Sequence, residues 1–321
     1  MTWLVTGGAG YVGAHVVAAM LEAGHDLVVL DDLSTGDAHR VSGAPLEVAS
    51  VLDEDAVRGV VRRYRVDGIV HLAGKKQVGE SVARPLHYYL ENVEGLRRLL
   101  SVATTAGIAD VVFSSSAAVY GSPDVDLVTE DTPCRPVNPY GESKLVGEWM
   151  LADVARSGLR YAALRYFNVA GAGRLELADT AVGNLVTQVF SRLDTGRRPQ
   201  VYGDDFDTPD GTGVRDFVHV ADIASAHVAA AEALRNGTVA ATTLNIGRGE
   251  GASVREVCSL IAEIVGAPAD DLPPEVVARR AGDPARVVAS ADRAREVLGW
   301  TARHDLAEMV ASAWEGWRHR A

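Results

Sequence analysis

Tyr140 and Lys144 stand four residues apart in "NPYGESK" (138–144). On a helix, that spacing puts two side chains on one face, about one turn (~5.4 Å) apart. The proline just ahead suits a helix's first turn. A phenol titrates near ~10 in water, and a neighbouring ammonium favours its charged form. Such a pair can take a proton from an alcohol. It also needs a hydroxyl close to the same oxygen, and "VVFSSS" (111–116) ends in Ser114, Ser115 and Ser116. Ser116 is the expected partner. The competing reading is plain: a tyrosine that packs at a helix start, and serines that belong to a loop. Spacing alone does not separate the two.

The opening "TGGAGYVG" (6–13) bears on the choice. Gly7-x-x-Gly10-x-x-Gly13 follows a short β-rich run and precedes a helical one. Glycines there let the chain turn tightly and let backbone N–H groups approach a pyrophosphate, with the helix N-terminus adding partial positive charge. Asp31 and Asp32 end the next apolar run, about 20 residues on, where an acid binds the hydroxyls of an adenosine ribose. A carboxylate repels a 2′-phosphate, so the expected cofactor is NAD and not NADP.

The elements that must position these groups alternate. Apolar runs at 2–7, 26–32, 66–74, 109–121 and 159–171 are separated by helical stretches such as 11–24, 92–107 and 143–158. Strand–helix–strand alternation with nearly continuous apolar strands predicts an α/β fold, a doubly wound parallel Rossmann sheet covered on both faces. After Asn168 the composition shifts toward Gly, Pro and Asp. The expected division is an NAD-binding domain over 1–167, rejoined around 217–246. A smaller C-terminal substrate-binding lobe over 168–216 and 247–321 would lie at the carboxyl ends of the strands, where such sheets bind ligands.

Lys plus Arg number 31 and Asp plus Glu 43, a net charge of −12. That argues against a nucleic-acid surface but leaves room for a phosphate held by one or two arginines. Two cysteines, Cys134 and Cys258, make no disulfide framework and fit a reducing compartment. No signal-like or membrane-spanning run is present at the N-terminus. A cytoplasmic protein that contacts no membrane is expected. No His/Cys/Asp cluster has metal-ligand spacing, and His71 and His219 read as structural.

Taken together, these stretches resemble the extended short-chain dehydrogenase/reductase family, and within it the UDP-glucose 4-epimerases. The carriers run nearly end to end: "VTGGAGYVG" (5–13), "DDLSTG" (31–36), "HLAGKKQVGES" (71–81), "FSSSAAVYG" (113–121), "NPYGESK", "LRYFNVAGA" (164–172), "YGDDFDTPDGTGVRDFVHVAD" (202–222), "RRAGDPA" (279–285) and "LGW" (298–300). The resemblance implies NAD as cofactor, a UDP-sugar as substrate, and a homodimer joined through helices at 92–107 and 143–158. It places Tyr11 and Val12 on the pyrophosphate. Leu33, Ser34, Thr35 and Gly36 continue the wall that begins at Asp31. Leu72, Ala73, Gly74 and Lys76 line the cofactor, with Ser114 nearby. Asn92 lies beneath it, and Phe167 closes the nicotinamide pocket.

For the substrate it implies Asn168, Asn184 and Leu185 at the sugar nucleotide, together with Lys76. Gln200, Val201 and Tyr202 fall at the uracil, Arg215 and Arg280 at the diphosphate, and Asp283 at the uridine ribose. The chain departs from the family in two places. Ser50, beside Val51, stands where the family has an adenine-contacting Asp, and the segment between Asn168 and Asn184 is short.

Sugar-nucleotide dehydratases and decarboxylases of the superfamily carry a carboxylate just after the residue corresponding to Ser116. Here those positions are Ala117 and Ala118. This favours reversible inversion at C4′ of a UDP-hexose through a 4-keto sugar. A non-catalytic NAD-sensing relative would be expected to lose the tyrosine or lysine. Val287 falls where a tyrosine tends to exclude N-acetyl sugars, so the N-acetylhexosamine forms are expected to fit as well.

Overall fold

The computed structural model describes residues 2–266, 273–280 and 282–320. The strands are β1 (Thr2–Thr6), β2 (Asp26–Asp31), β3 (Leu46–Val48), β4 (Val66–His71), β5 (Asp110–Ser116), β6 (Arg160–Tyr166), β7 (Asn168–Ala170), β8 (Gln200–Tyr202), β9 (Val214–His219), β10 (Ala241–Ile246), β11 (Gly251–Ser253), β12 (Glu275–Val277) and β13 (Arg286–Val287). Seven of them form one parallel sheet in the order β10-β6-β5-β4-β1-β2-β3. The order reverses between β1 and β4, so the crevice outside their carboxyl ends is the ligand edge of a doubly wound fold. The expected fold class is the one observed.

Strand alternation explains why both faces are covered. Trp3 and Val5 of β1 pack into one core with helices Tyr11–Glu22 and Val220–Arg235. Leu4 faces the opposite core, with helices Glu54–Tyr64 and Gly95–Ala106 and with Leu151 of helix Pro139–Ala155. A third core joins helices Leu185–Asp194, Val254–Val265 and Leu306–Arg318. Beside it, β9 pairs with β7, β11 and β13, while β8 pairs with β12. Within the expected lobe segment 168–216 the chain forms β7, the helix Leu185–Asp194, β8 and the start of β9.

The stretch from 92 to 107 is less regular than its periodicity predicts. It opens on a π-helical turn, Tyr89–Glu94, before the α-helix Gly95–Ala106. Wide turns of this kind recur at functional sites, and this one carries Asn92.

Candidate active site

A cleft of about 710 Å³ runs along the carboxyl edge of the sheet. It is within the usual size for small-molecule sites. Its floor is the glycine turn. Gly7 has φ +74°, and a Cβ on it would lie 2.5 Å from the Ala73 nitrogen. Only glycine fits, because the turn passes directly over the end of β4. Gly10 then begins helix Tyr11–Glu22 with no side-chain cap and no acidic residue in the first turn. The helix thus presents unpartnered N–H groups and uncancelled partial positive charge to the cleft, which suits a pyrophosphate.

Asp31 braces this end. Its Oδ2 accepts from Ala9 N at 3.0 Å and its Oδ1 from Leu33 N at 2.9 Å. These bonds work against burial, which pushes the carboxyl up. Leu33 itself sits at φ +57°, a left-handed conformation uncommon for a branched side chain. The Asp31 bond offsets part of that strain. The chain's groups therefore fit a dinucleotide, with a carboxylate where the ribose would lie.

The middle of the cleft holds the residues that could do chemistry. Asn138 caps helix Pro139–Ala155, its Oδ1 accepting from Gly141 N at 2.9 Å, and Pro139 occupies the first turn. Tyr140 and Lys144 follow on one face and both line the cleft. Lys144 Nζ donates to the Ser114 carbonyl at 2.8 Å and lies 6.0 Å from the Tyr140 ring centroid. Ser116 Oγ accepts from Ala118 N at 3.2 Å, which leaves its O–H to donate elsewhere. Its hydroxyl is near enough to the Tyr140 phenol to favour the phenolate. Tyr88 is fully buried and meets the Tyr140 ring edge-on at 6.5 Å.

Burial raises the Tyr140 phenol above its ordinary value, and the Ser116 hydroxyl only partly opposes this. Lys144 is pushed down to about 8 by burial. The sign of the consequence is fixed. Below about 8 the folded and unfolded chains both hold the proton. Between about 8 and the ordinary 10.5, only the unfolded chain does. Stability therefore rises with pH through that window. Denaturant midpoints measured on either side of pH 8 should show a rise that Lys144→Met lacks; parallel curves would contradict it.

At the other end of the cleft, Arg215 on β9 donates to Asp283 Oδ1 at 2.6 Å, Pro284 O at 2.7 Å and Val214 O at 2.8 Å. Asn184 Nδ2 donates to Asp179 Oδ2 at 2.9 Å while its Oδ1 caps Thr187 N, leaving one N–H for a ligand. Arg280 lies 3.7 Å above the Tyr202 ring. Arg215, Arg280, Asp283, Asn168, Asn184, Lys76 and Val287 all line the cleft.

The structure gathers most of the expected residues into this one cleft and sets others apart. Every expected cofactor residue lines it except Leu33, Gly36 and Asn92. Gly36 packs beneath, against Ala9 and Asp31. Asn92 is turned to the loop after β4. Its Oδ1 accepts from Lys75 N at 2.7 Å, and its Nδ2 donates to Lys75 O at 3.0 Å and Ser143 Oγ at 2.9 Å. Leu185, Gln200, Val201 and Tyr202 also lie outside the lining. Val201 is buried in the lobe core and Leu185 packs against it, while Arg280 covers Tyr202. Ser50 is in the lining, its Oγ accepting from Leu52 N at 3.1 Å.

Residues that motif spacing does not reveal also reach the cleft, among them Arg40, Lys75, Tyr166 and Asp179. Carboxylates are therefore present, though not beside Ser116. Asp179 is committed to Asn184 and to Ala181 N, and Glu80 to Arg84 and Tyr88. His71 is bonded to Thr6 Oγ1 and held down to about 3 by burial, and His219 caps helix Val220–Arg235. Among the described residues no group of three or more His, Cys, Asp or Glu could hold a metal. No described helix is long and apolar enough to cross a membrane.

Residues 3–247 match a family model described as the NAD dependent epimerase/dehydratase family. The chain is 46% identical to a UDP-glucose 4-epimerase of Azospirillum brasilense, over 97% of this chain and 91% of that one. It is 45% identical to that of Streptomyces lividans, over 98% and 95%. The chain belongs to the UDP-glucose 4-epimerase branch of this family. Its cofactor is NAD, as the glycine turn and Asp31 predict. Solved relatives agree across the whole fold. A UDP-glucose-4-epimerase of Stenotrophomonas maltophila with bound NAD and formylated UDP-arabinopyranose superposes with a TM-score of 0.92 at 39% identity, covering 99% of this chain and 98% of that one. The Bifidobacterium longum enzyme in complex with NAD+ and UDP gives 0.89 at 35% identity, covering 99% and 98%.

Proposed function

We propose that the chain interconverts UDP-glucose and UDP-galactose by inverting C4′, with Tyr140 as the base, Ser116 as its hydroxyl partner and Lys144 as the supporting ammonium. The observation that carries this is the convergence of Tyr140, Lys144 and Ser116 at mid-cleft, between a pyrophosphate-ready helix start and the Arg215/Arg280 pair. Tyr140, as phenolate, accepts the proton of the 4′-hydroxyl while the Ser116 O–H donates to the same oxygen. The chemistry NAD supplies when bound is removal and return of the C4′ hydrogen as hydride, through a transient 4-keto sugar. Arg215 and Arg280 grip the diphosphate with planar, permanently charged forks while the sugar turns over, and Asn168 and Asn184 border the space it turns in. In the return half-reaction Tyr140, now a phenol, gives that proton back to the same oxygen, so no second acid is required at Ala117 or Ala118. Proton NMR of UDP-galactose with the purified protein, without added NAD, should show UDP-glucose forming. Unchanged substrate with NAD still bound would point instead to a binding protein.

Val287 leaves room beside the sugar 2′-substituent, so UDP-N-acetylglucosamine and UDP-N-acetylgalactosamine are also substrates under this proposal. Val287→Tyr should suppress N-acetyl turnover at least ~10-fold more than hexose turnover, the scale on which pocket sterics discriminate. Equal losses would argue against the gate. We also assign a homodimer, in the cytoplasm. The expected helices are 92–107 and 143–158; what supports a dimer is exposed Trp149 on the second of them, beside an exposed apolar stripe at Val78, Val82, Leu86 and Leu90 that leads into the first. Leu86→Glu with Trp149→Glu should halve the mass seen by sedimentation; an unchanged mass refutes this face. Free Cys134 and Cys258 suit a reducing compartment, and recovery of the native protein outside the cytoplasmic fraction would contradict the placement.

A further inference from the structure

We infer that Glu148, with Ser115 and Arg165, is a positioning device that sets how the helix carrying Tyr140 and Lys144 meets the serine strand. Glu148 is four residues past Lys144 and eight past Tyr140, so it lies on the same helix face. Like Lys144 it is buried, as are Ser115 and Arg165, but unlike Tyr140 and Lys144 it does not line the cleft. Its carboxylate accepts from Ser115 Oγ at 2.5 Å, from Arg165 Nε at 2.9 Å and from Arg165 Nη2 at 2.6 Å.

Those partners belong to two strands. Ser115 is on β5, between Ser114, whose carbonyl takes Lys144 Nζ, and Ser116, whose hydroxyl favours the Tyr140 phenolate. Strand alternation turns Ser115 to the face opposite its two neighbours. Arg165 is on β6, and the backbone register pairs it with Ser115 directly. One carboxylate thus ties the helix to both strands one turn away from the reacting groups.

The tie is backed up in depth. Arg165 Nη1 donates to Tyr120 Oη at 2.8 Å, and Tyr120 donates to Asn245 Oδ1 at 2.7 Å. Asn245 Nδ2 in turn donates to Val128 O at 2.8 Å. Both side chains of the ion pair are buried. A buried charge pair of this kind is often no more stabilising than apolar residues of the same volume, but it admits only one geometry. Apolar packing would let the helix slide by fractions of an ångström. A 1 Å misplacement of a reacting group can cost about 10²-fold in rate.

The inference rests on Tyr140 being the base, and the experiment separates the two claims. Four proteins are compared: wild type, Tyr140→Phe, Ser115→Ala, and the paired Glu148→Leu/Arg165→Met, which removes both charges at similar volume. Each is assayed for bound NAD, thermal midpoint, KM, kcat and the pH profile of kcat. The paired variant should keep NAD and KM, lose about 10- to 100-fold in kcat, and shift its acid limb to higher pH because the phenolate is less well supported.

Ser115→Ala leaves the ion pair whole and cuts only the link to β5. It should lower kcat severalfold at an unchanged midpoint, and it decides the matter if the paired variant does not fold. Wild-type kcat and pH profile in Ser115→Ala, or in a folded paired variant, overturn the positioning role when Tyr140→Phe is inactive. Activity retained by Tyr140→Phe overturns the base assignment instead.

Discussion

Tyr140→Phe will lower epimerisation by about 10²- to 10⁴-fold, the range that a positioned acid–base group contributes. The change removes one oxygen from a half-buried ring that Tyr88 holds edge-on, so the packing around it survives. KM for the UDP-sugar and the content of bound NAD should stay close to wild type, because neither depends on the phenol oxygen alone. The effect is large because nothing nearby can replace the phenol. Ser116 is a hydroxyl of much higher pKa, already accepting from Ala118 N. Lys144 is committed to the Ser114 carbonyl. Glu148, the acid nearest along the helix, points away from the cleft into the Ser115–Arg165 network. Turnover of UDP-galactose measured by NMR within threefold of wild type would remove Tyr140 from the chemistry.

Arg215→Ala will act on binding. Hydrogen bonds to charged groups contribute roughly 1.5–3 kcal/mol each, and every ~1.4 kcal/mol is tenfold. KM should therefore rise about 10- to 100-fold, with a smaller fall in kcat. Two features make this arginine costly to lose. Its guanidinium is already oriented by Asp283, Pro284 O and Val214 O, so little side-chain entropy remains to be lost when a diphosphate arrives. Removing it also leaves the Asp283 carboxylate at the cleft wall without its cation, and that charge would repel the diphosphate. Arg215→Lys should recover only part of the loss, since an ammonium lacks the fork that meets Asp283 and a phosphate together. A KM unaffected by Arg215→Ala would place the diphosphate elsewhere.

The two predictions differ in how readable their residues are. Tyr140 and Lys144 are local, because four residues of helix bring them together whatever the rest of the chain does. Gly7, Gly10 and Gly13 are local in the same way, and Asp31 follows from one strand–helix–strand unit. Arg215 and Arg280 are far apart in sequence. Motif resemblance places them at a diphosphate, and folding brings both to the cleft wall at the lobe.

Tyr202, Val201 and Leu185 are placed by packing that no motif records. A segment can match a family motif while packing decides which of its side chains face inward. Val201 is drawn into the lobe core because β8 pairs with β12, and Tyr202 is covered by Arg280. Asn92 has a similar lesson. Its carboxamide could reach a cofactor, but a π-turn aims it at the backbone of Lys75, where it fixes the loop that Gly74 and Lys76 share.

By itself the amino-acid sequence determined the alternation that makes a doubly wound sheet, the glycine turn with its acid, and the tyrosine–lysine pair. Each depends on neighbours a few residues apart, on backbone sterics or on the period of apolar residues. Only the tertiary structure decided which of three consecutive serines does what. Alternation along β5 sends Ser116 to the phenol and Ser115 to a buried carboxylate, while the register with β6 sets Arg165 opposite Ser115. It also set the surroundings of the titrating pair, where burial pushes the phenol up and the ammonium down. Desolvation depends on everything packed around a group, and no spacing of residues records that.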